Sequence, residues 1–126
     1  MIAIEFGNKA FNVPQSEQTV YIVFDTKTRY ADRKEFAEKA IEKMTLGYPD
    51  WRDELLAKMD LQPAKEEDIQ FFIYGAAERM NENVTLDLDL ENAHDFEAVM
   101  PVEWNDASYI FECGEMYVFY NWNTTC

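Results

Sequence analysis

The residues able to do metal or nucleophile chemistry are few. His94 is the single histidine, and the cysteines are Cys113 and Cys126. Asp87, Asp89, Glu91 and Asp95 flank His94 and could offer oxygen ligands to a cation. Asp-x-Asp-x-Glu, however, lacks the glycine turn that closes a calcium loop, and an extended chain spreads its ligands instead of gathering them. One histidine and two distant cysteines fall short of a zinc set. No metal or cofactor is expected. Cys113 with His94 is the one Cys–His combination inside the fold, but Cys113 falls on the expected core face of a hairpin, where a thiol is normally inert. Carboxylate pairs abound, so an acid/base pair of the glycosidase kind passes by count alone. No phosphate loop, dinucleotide fingerprint, serine elbow or HExxH motif accompanies them. The chain is expected not to be an enzyme.

What the sequence offers is a charge pattern. It holds 25 acidic and 11 basic residues in 126, a formal net charge of −14. Every Lys and Arg lies between Lys9 and Arg79, while residues 81–126 carry ten acids and no Lys or Arg. These acids are Glu82, Asp87, Asp89, Glu91, Asp95, Glu97, Glu103, Asp106, Glu112 and Glu115. On a strand, Asp87, Asp89 and Glu91 share one face and repeat every ~6.8 Å. Each neighbouring pair repels by about 0.6 kcal/mol in water before salt screening. A surface excess of this sign argues against direct nucleic-acid binding and against an anionic membrane.

The elements that must position these acids can be read from periodicity. Ile2 to Phe6 reads as a strand, with Gly7-Asn8-Lys9 as a turn and Ala10 to Val13 as its return. Thr19 to Asp25 is β-branched, aromatic and apolar on both faces, which places it centrally in a sheet. From Asp32 to Thr45, the residues Phe36, Ala37, Ala40, Ile41 and Met44 make one helical stripe, with Gly47 as the stop. A second helix is predicted from Asp50 as N-cap, burying Trp51, Leu55 and Met59. A third is predicted from Pro63 onward, with Ile69, Phe72, Ile73, Ala76 and Met80 as its stripe. Residues 69–74 also suit a strand, and the continuation of the stripe beyond Gly75 favours helix. Val84, Leu86, Leu88 and Leu90 alternate with polar residues as a half-buried strand. Ala93 to Met100 is ambiguous, and Val102-Glu103-Trp104 is a candidate short strand. Ser108 to Cys113 and Met116 to Trp122 flank Gly114-Glu115, a type II′ hairpin turn that sets Cys113 opposite Met116, Phe111 opposite Val118 and Tyr109 opposite Tyr120.

The expected fold is therefore α+β: a single domain over residues 1–126, mainly an antiparallel sheet of N-terminal strands and C-terminal hairpins. About three helices from residues 32–80 pack on one side of it. No signal peptide or membrane span is expected, and Met116 to Cys126 covers roughly 33 Å when extended, too far for a Cys113–Cys126 bridge. Both points suit a cytoplasmic protein. The functional expectation is an acidic inhibitor that mimics DNA phosphates and competes with nucleic acid for a basic partner, such as a histone-like protein, restriction enzyme, repressor or CRISPR effector. The expected contact set is Asp87, Asp89, Glu91, Asp95, Glu97, Glu103, Asp106, Glu112 and Glu115, with Tyr117 and Phe119 as an apolar centre unless a helix covers them. The alternatives are an immunity protein or antitoxin that blocks a nuclease's basic cleft, and a small enzyme or structural domain of incidental acidity.

Overall fold

The structure is a computed structural model that describes residues 1–7, 10–11, 17–80 and 90–124. Among these, six strands form one antiparallel sheet: β1 (Ile2–Phe6), β2 (Gln18–Thr26), β3 (Gln62–Pro63), β4 (Ala93–Ala98), β5 (Asp106–Cys113) and β6 (Met116–Thr124). Their order is β1-β2-β6-β5-β4-β3. The helices are α1 (Arg33–Met44), α2 (Pro49–Lys58), α3 (Glu66–Ile69) and α4 (Gly75–Glu78), with a π-helical turn (Gln70–Tyr74) joining the last two into one run over 66–78. The α+β class and the antiparallel sheet are as the periodicity requires.

The hairpin of β5 and β6 has the expected register, with Cys113 opposite Met116, Phe111 opposite Val118 and Tyr109 opposite Tyr120. Gly114 has φ +57°, the left-handed conformation that a II′ turn needs at its first central residue. β2 runs between β1 and β6, inside the sheet. Alternation then decides the layers. Val20, Ile22, Tyr109, Phe111, Val118, Tyr120 and Trp122 point to one face, where Ile69, Phe72, Ile73 and Ala76 of the 66–78 run cover them. Val23, Ile110 and Phe119 point to the other, where Phe36, Ala37, Ala40, Ile41 and Met44 of α1 and Leu55 of α2 cover them. Helices therefore lie on both sides of the sheet, not one. An apolar strand such as β2 has two faces to remove from water, and one layer of helices covers only one of them.

Local chemistry explains the remaining departures. β1 pairs with β2, and the expected return strand Ala10 to Val13 falls partly outside the described residues. Phe11 is buried and bridges Met80. α2 starts one residue before the expected cap, with Pro49 at its first position, where a missing N–H costs no hydrogen bond. Pro63 lies in the edge strand β3 opposite Glu97, and the helix begins at Glu66. An edge is where a sheet tolerates proline. The stripe expected of that helix is buried throughout. At its centre Gly75 N–H donates to the Gln70 carbonyl, five residues back. A Cβ at Gly75 would meet that carbonyl oxygen at 2.9 Å, so the π turn requires glycine here. The Tyr120 hydroxyl donates to the Phe72 carbonyl of the same turn at 2.8 Å. Residues 102–104 make only an isolated bridge, between Glu103 and Asp106. The strand expected at 84–90 falls almost wholly outside the described residues. Among the described residues, no helix is long and apolar enough to cross a membrane.

Phe119 is fully buried under α1. Phe119→Ala is expected to cost about 3–5 kcal/mol and to lower the urea midpoint accordingly. A loss under 1 kcal/mol would mean that the residue is not part of the core.

Candidate functional site

The acids of the C-terminal third do not form one uncompensated surface. Three of them draw bases from the N-terminal half. Arg33 Nη1 lies 2.6 Å from Glu97, and Arg33 Nη2 lies 2.6 Å from Glu112. Lys27 also pairs with Glu112 and sits 6.0 Å from the centre of the Tyr117 ring. Lys58 bridges Glu54 at 3.0 Å and Glu103 at 3.2 Å. Burial alone would raise the Glu112 carboxyl, but hydrogen bonds from Lys27 and Arg33 outweigh it and hold it below the usual glutamate range. Arg33 shows the same balance from the other side: burial works against its charge, and the two glutamates more than restore it.

Position explains these pairings. Arg33 is the first residue of α1, directly after the N-cap Asp32, whose carboxylate accepts from Glu35 N at 2.9 Å. A cation there opposes the helix dipole. It is tolerated because the helix N-terminus abuts the Glu97 and Glu112 carboxylates on adjacent strands. A basic residue just after an N-cap is the sequence signal for an anion supplied from outside the helix.

Three of the expected contact residues converge. Asp95, Glu97 and Glu112 line one open recess of about 350 Å³ with Arg33, Pro63 and Phe96. A β-bulge builds it: the register of β4 on β5 shifts between His94 and Glu97, and Asp95 takes φ +57°. Aspartate tolerates that conformation better than most residues. The bulge turns the Asp95 carboxylate outward, 2.7 Å from His94 Nδ1. It also keeps Phe96 on the core, stacked on Phe111 at 4.7 Å. The recess thus gathers three carboxylates, two of them already held by Arg33, and leaves Asp95 as the one open to an outside cation.

The other expected residues lie elsewhere. Glu91 is exposed beside β4, and Glu115 is exposed at the hairpin turn. Neither makes an ion pair with Lys or Arg among the described residues. Glu103 and Asp106 sit at the far end of β5, roughly 24 Å from Cys113 at strand rise. Asp106 is largely covered and accepts from Asn121 Nδ2 at 2.8 Å. Burial pushes its carboxyl above the usual aspartate range. The recess beside it holds only about 10 Å³, too little for a substrate. Phe119 and most of Tyr117 are covered by α1, with Phe36 5.5 Å from Tyr117, so this pair is not an exposed apolar centre. The exposed aromatic of this region is Trp104, 71% accessible on the turn before β5. Asp87 and Asp89 lie outside the described residues, as does Cys126. Among the described residues, no three His, Cys, Asp or Glu side chains converge as a metal would need.

Fold and site together define an acidic α+β domain with helices on both faces of an antiparallel sheet and a carboxylate-lined recess at one end. Comparison with protein-family models, with curated proteins and with solved structures gives no match to this chain.

Glu112→Gln leaves Arg33 and Lys27 short of a counter-charge and is expected to destabilise by about 1.5–3 kcal/mol at neutral pH. Because the folded carboxyl titrates below its unfolded value, the difference from wild type holds above the ordinary glutamate range. It disappears as the pH falls through the folded value. Asp106→Asn has the opposite sign. The folded carboxyl titrates high, so its favourable contribution exists only at low pH and is lost as the pH rises. The variant is expected to melt at or above the wild-type temperature at pH 7, with the gain vanishing near pH 3. Thermal melts across pH 3–8 check both.

Proposed function

We propose that this protein is an acidic binding protein that presents carboxylates to a basic nucleic-acid-binding protein and competes there with nucleic acid. The observation that carries the reading is the unequal distribution of charge. No Lys or Arg occurs beyond Arg79. Among the described residues, the three bases that reach the sheet's acids from the other half, Lys27, Arg33 and Lys58, hold only Glu97, Glu103 and Glu112 in that third. Glu91, Asp95 and Glu115 remain exposed, and like-signed exposed groups steer an oppositely charged partner toward them. In this reading a partner's Arg or Lys meets the exposed carboxylates of Glu91, Asp95 and Glu115, which stand in for phosphate oxygens. The reading places the protein in the cytoplasm, where such partners work.

The experiment is capture of host proteins on immobilised protein at 50 and 300 mM salt, followed by elution with a 30-base-pair duplex. Basic DNA-binding proteins released by the duplex support the proposal. A captured partner that holds both the duplex and this protein at once removes competition, and direct binding of the duplex by this protein removes the mimicry. Glu91→Gln, Asp95→Asn and Glu115→Gln together are expected to weaken the isolated partner about tenfold, or 1.4 kcal/mol. Neutralising Glu35, Glu38 and Glu42, which share α1 with Lys34, Lys39 and Lys43, is expected to do little. Equal losses would mean that only net charge matters.

A further inference from the structure

A second recess, separated from the first by Pro63, has different chemistry. It encloses about 350 Å³ between β3, the segment leading into α3, and the chain after β4. Its walls are apolar: Pro63, Ala64, Ala98, Met100 and Val102. Asp60, Lys65 and Asp68 supply its charges. The Asp68 carboxylate makes no ion pair or side-chain hydrogen bond among the described residues, not even with Lys65. Tyr109 closes the inner end. Its side chain is fully buried, and its hydroxyl is a buried polar atom without a hydrogen-bond partner. Leaving such a group unpaired is costly in a folded protein. Burial raises the phenol far above its ordinary range, and the Asp68 charge adds to this, so the hydroxyl is neutral and Asp68 is the charge it senses.

These features suit one kind of ligand. The volume lies at the small end of organic-ligand sites, and apolar walls with a few convergent polar groups are their usual composition. The Asp68 carboxylate, which is not bonded to Lys65, and the Tyr109 hydroxyl, which has no partner, line the same recess, and a group with several N–H donors and a positive charge serves both. An ammonium meets both, donating to Asp68 and to the Tyr109 oxygen. An anion would face Asp60 and Asp68 against the single base Lys65, on a chain of net charge −14. We propose that this recess binds a small organic cation with an apolar body, an arylalkylammonium, with its head between Asp68 and Tyr109 and its body against Pro63, Ala64 and Met100. The hydroxyl is covered in this structure. The site is independent of the acidic recess and of the function proposed for it.

The test is a titration followed by amide NMR shifts at pH 7 and 100 mM salt, with three probes that share a phenyl ring: benzylamine, benzyl alcohol and benzoate. Benzylamine is expected to shift the amides of Ala64, Lys65, Asp68 and Val102 and to bind at least tenfold more tightly than benzyl alcohol, while benzoate gives no saturable shift. Asp68→Asn and Tyr109→Phe are each expected to weaken benzylamine at least threefold. Asp53→Asn, an exposed acid on α2, is expected to leave it unchanged. Because its hydroxyl makes no bond, Tyr109→Phe is expected to fold with undiminished thermal stability. Equal binding of the three probes, shifts scattered over the acidic surface, or full benzylamine affinity in Tyr109→Phe would each overturn the proposal.

Discussion

The sheet's central strands are apolar on both faces, and the rest of the architecture answers that constraint. In β2, Val20 and Ile22 point one way and Val23 the other; in β6, Val118, Tyr120 and Trp122 oppose Phe119. Neither face can be left to water. α1 covers one with a stripe of small and large residues in which Ala37 and Ala40 let the helix approach closely. The 66–78 run covers the other, and its π turn brings the Phe72 carbonyl within reach of the Tyr120 hydroxyl. The polar group that a buried tyrosine brings into the core is thereby satisfied by the helix that buries it.

Charge is arranged by the same packing. Docking α1 and the turn before it against the sheet delivers Arg33 and Lys27 to the acid-rich strands. The strands could not otherwise hold Glu97 and Glu112 side by side without mutual repulsion. The acidic third is therefore divided. Part of its charge is consumed internally as a clamp between helix and sheet, and part remains outward at Glu91, Asp95 and Glu115. Runs of like charge in a sequence do not by themselves distinguish these two uses.

Much of the fold was legible because it rests on local periodicity. The α1 stripe, the Gly114-Glu115 hairpin and its register, and the interior position of β2 all follow from alternation and turn chemistry. The two-sided arrangement of helices was implicit in β2 and in Tyr117 and Phe119, but periodicity does not say which helix covers which face. Pro63 was misleading because proline suits both a helix start and an edge strand, and its pairing with Glu97 depends on a strand more than thirty residues away. The site was less legible. Asp95, Glu97 and Glu112 come together through a bulge that no residue pattern announces. The neutralising role of Arg33 depends on a contact with Glu112, 79 positions along the chain.

The pairing of β2 with β6 has a kinetic consequence. Thr26 stands opposite Met116, 90 residues later, and Gln18 opposite Thr124. Closing a loop of that length costs about 4 kcal/mol of chain entropy before either strand gains a hydrogen bond. β1 and β2 alone make only a two-stranded ribbon, marginal in water. The centre of the sheet is thus the part that forms through the most distant encounter, and pairings of that kind slow folding relative to local ones. Until β6 arrives, the inner edge of β2 is an unpaired apolar strand, and the high negative charge that marks the folded surface also keeps such unfinished chains apart.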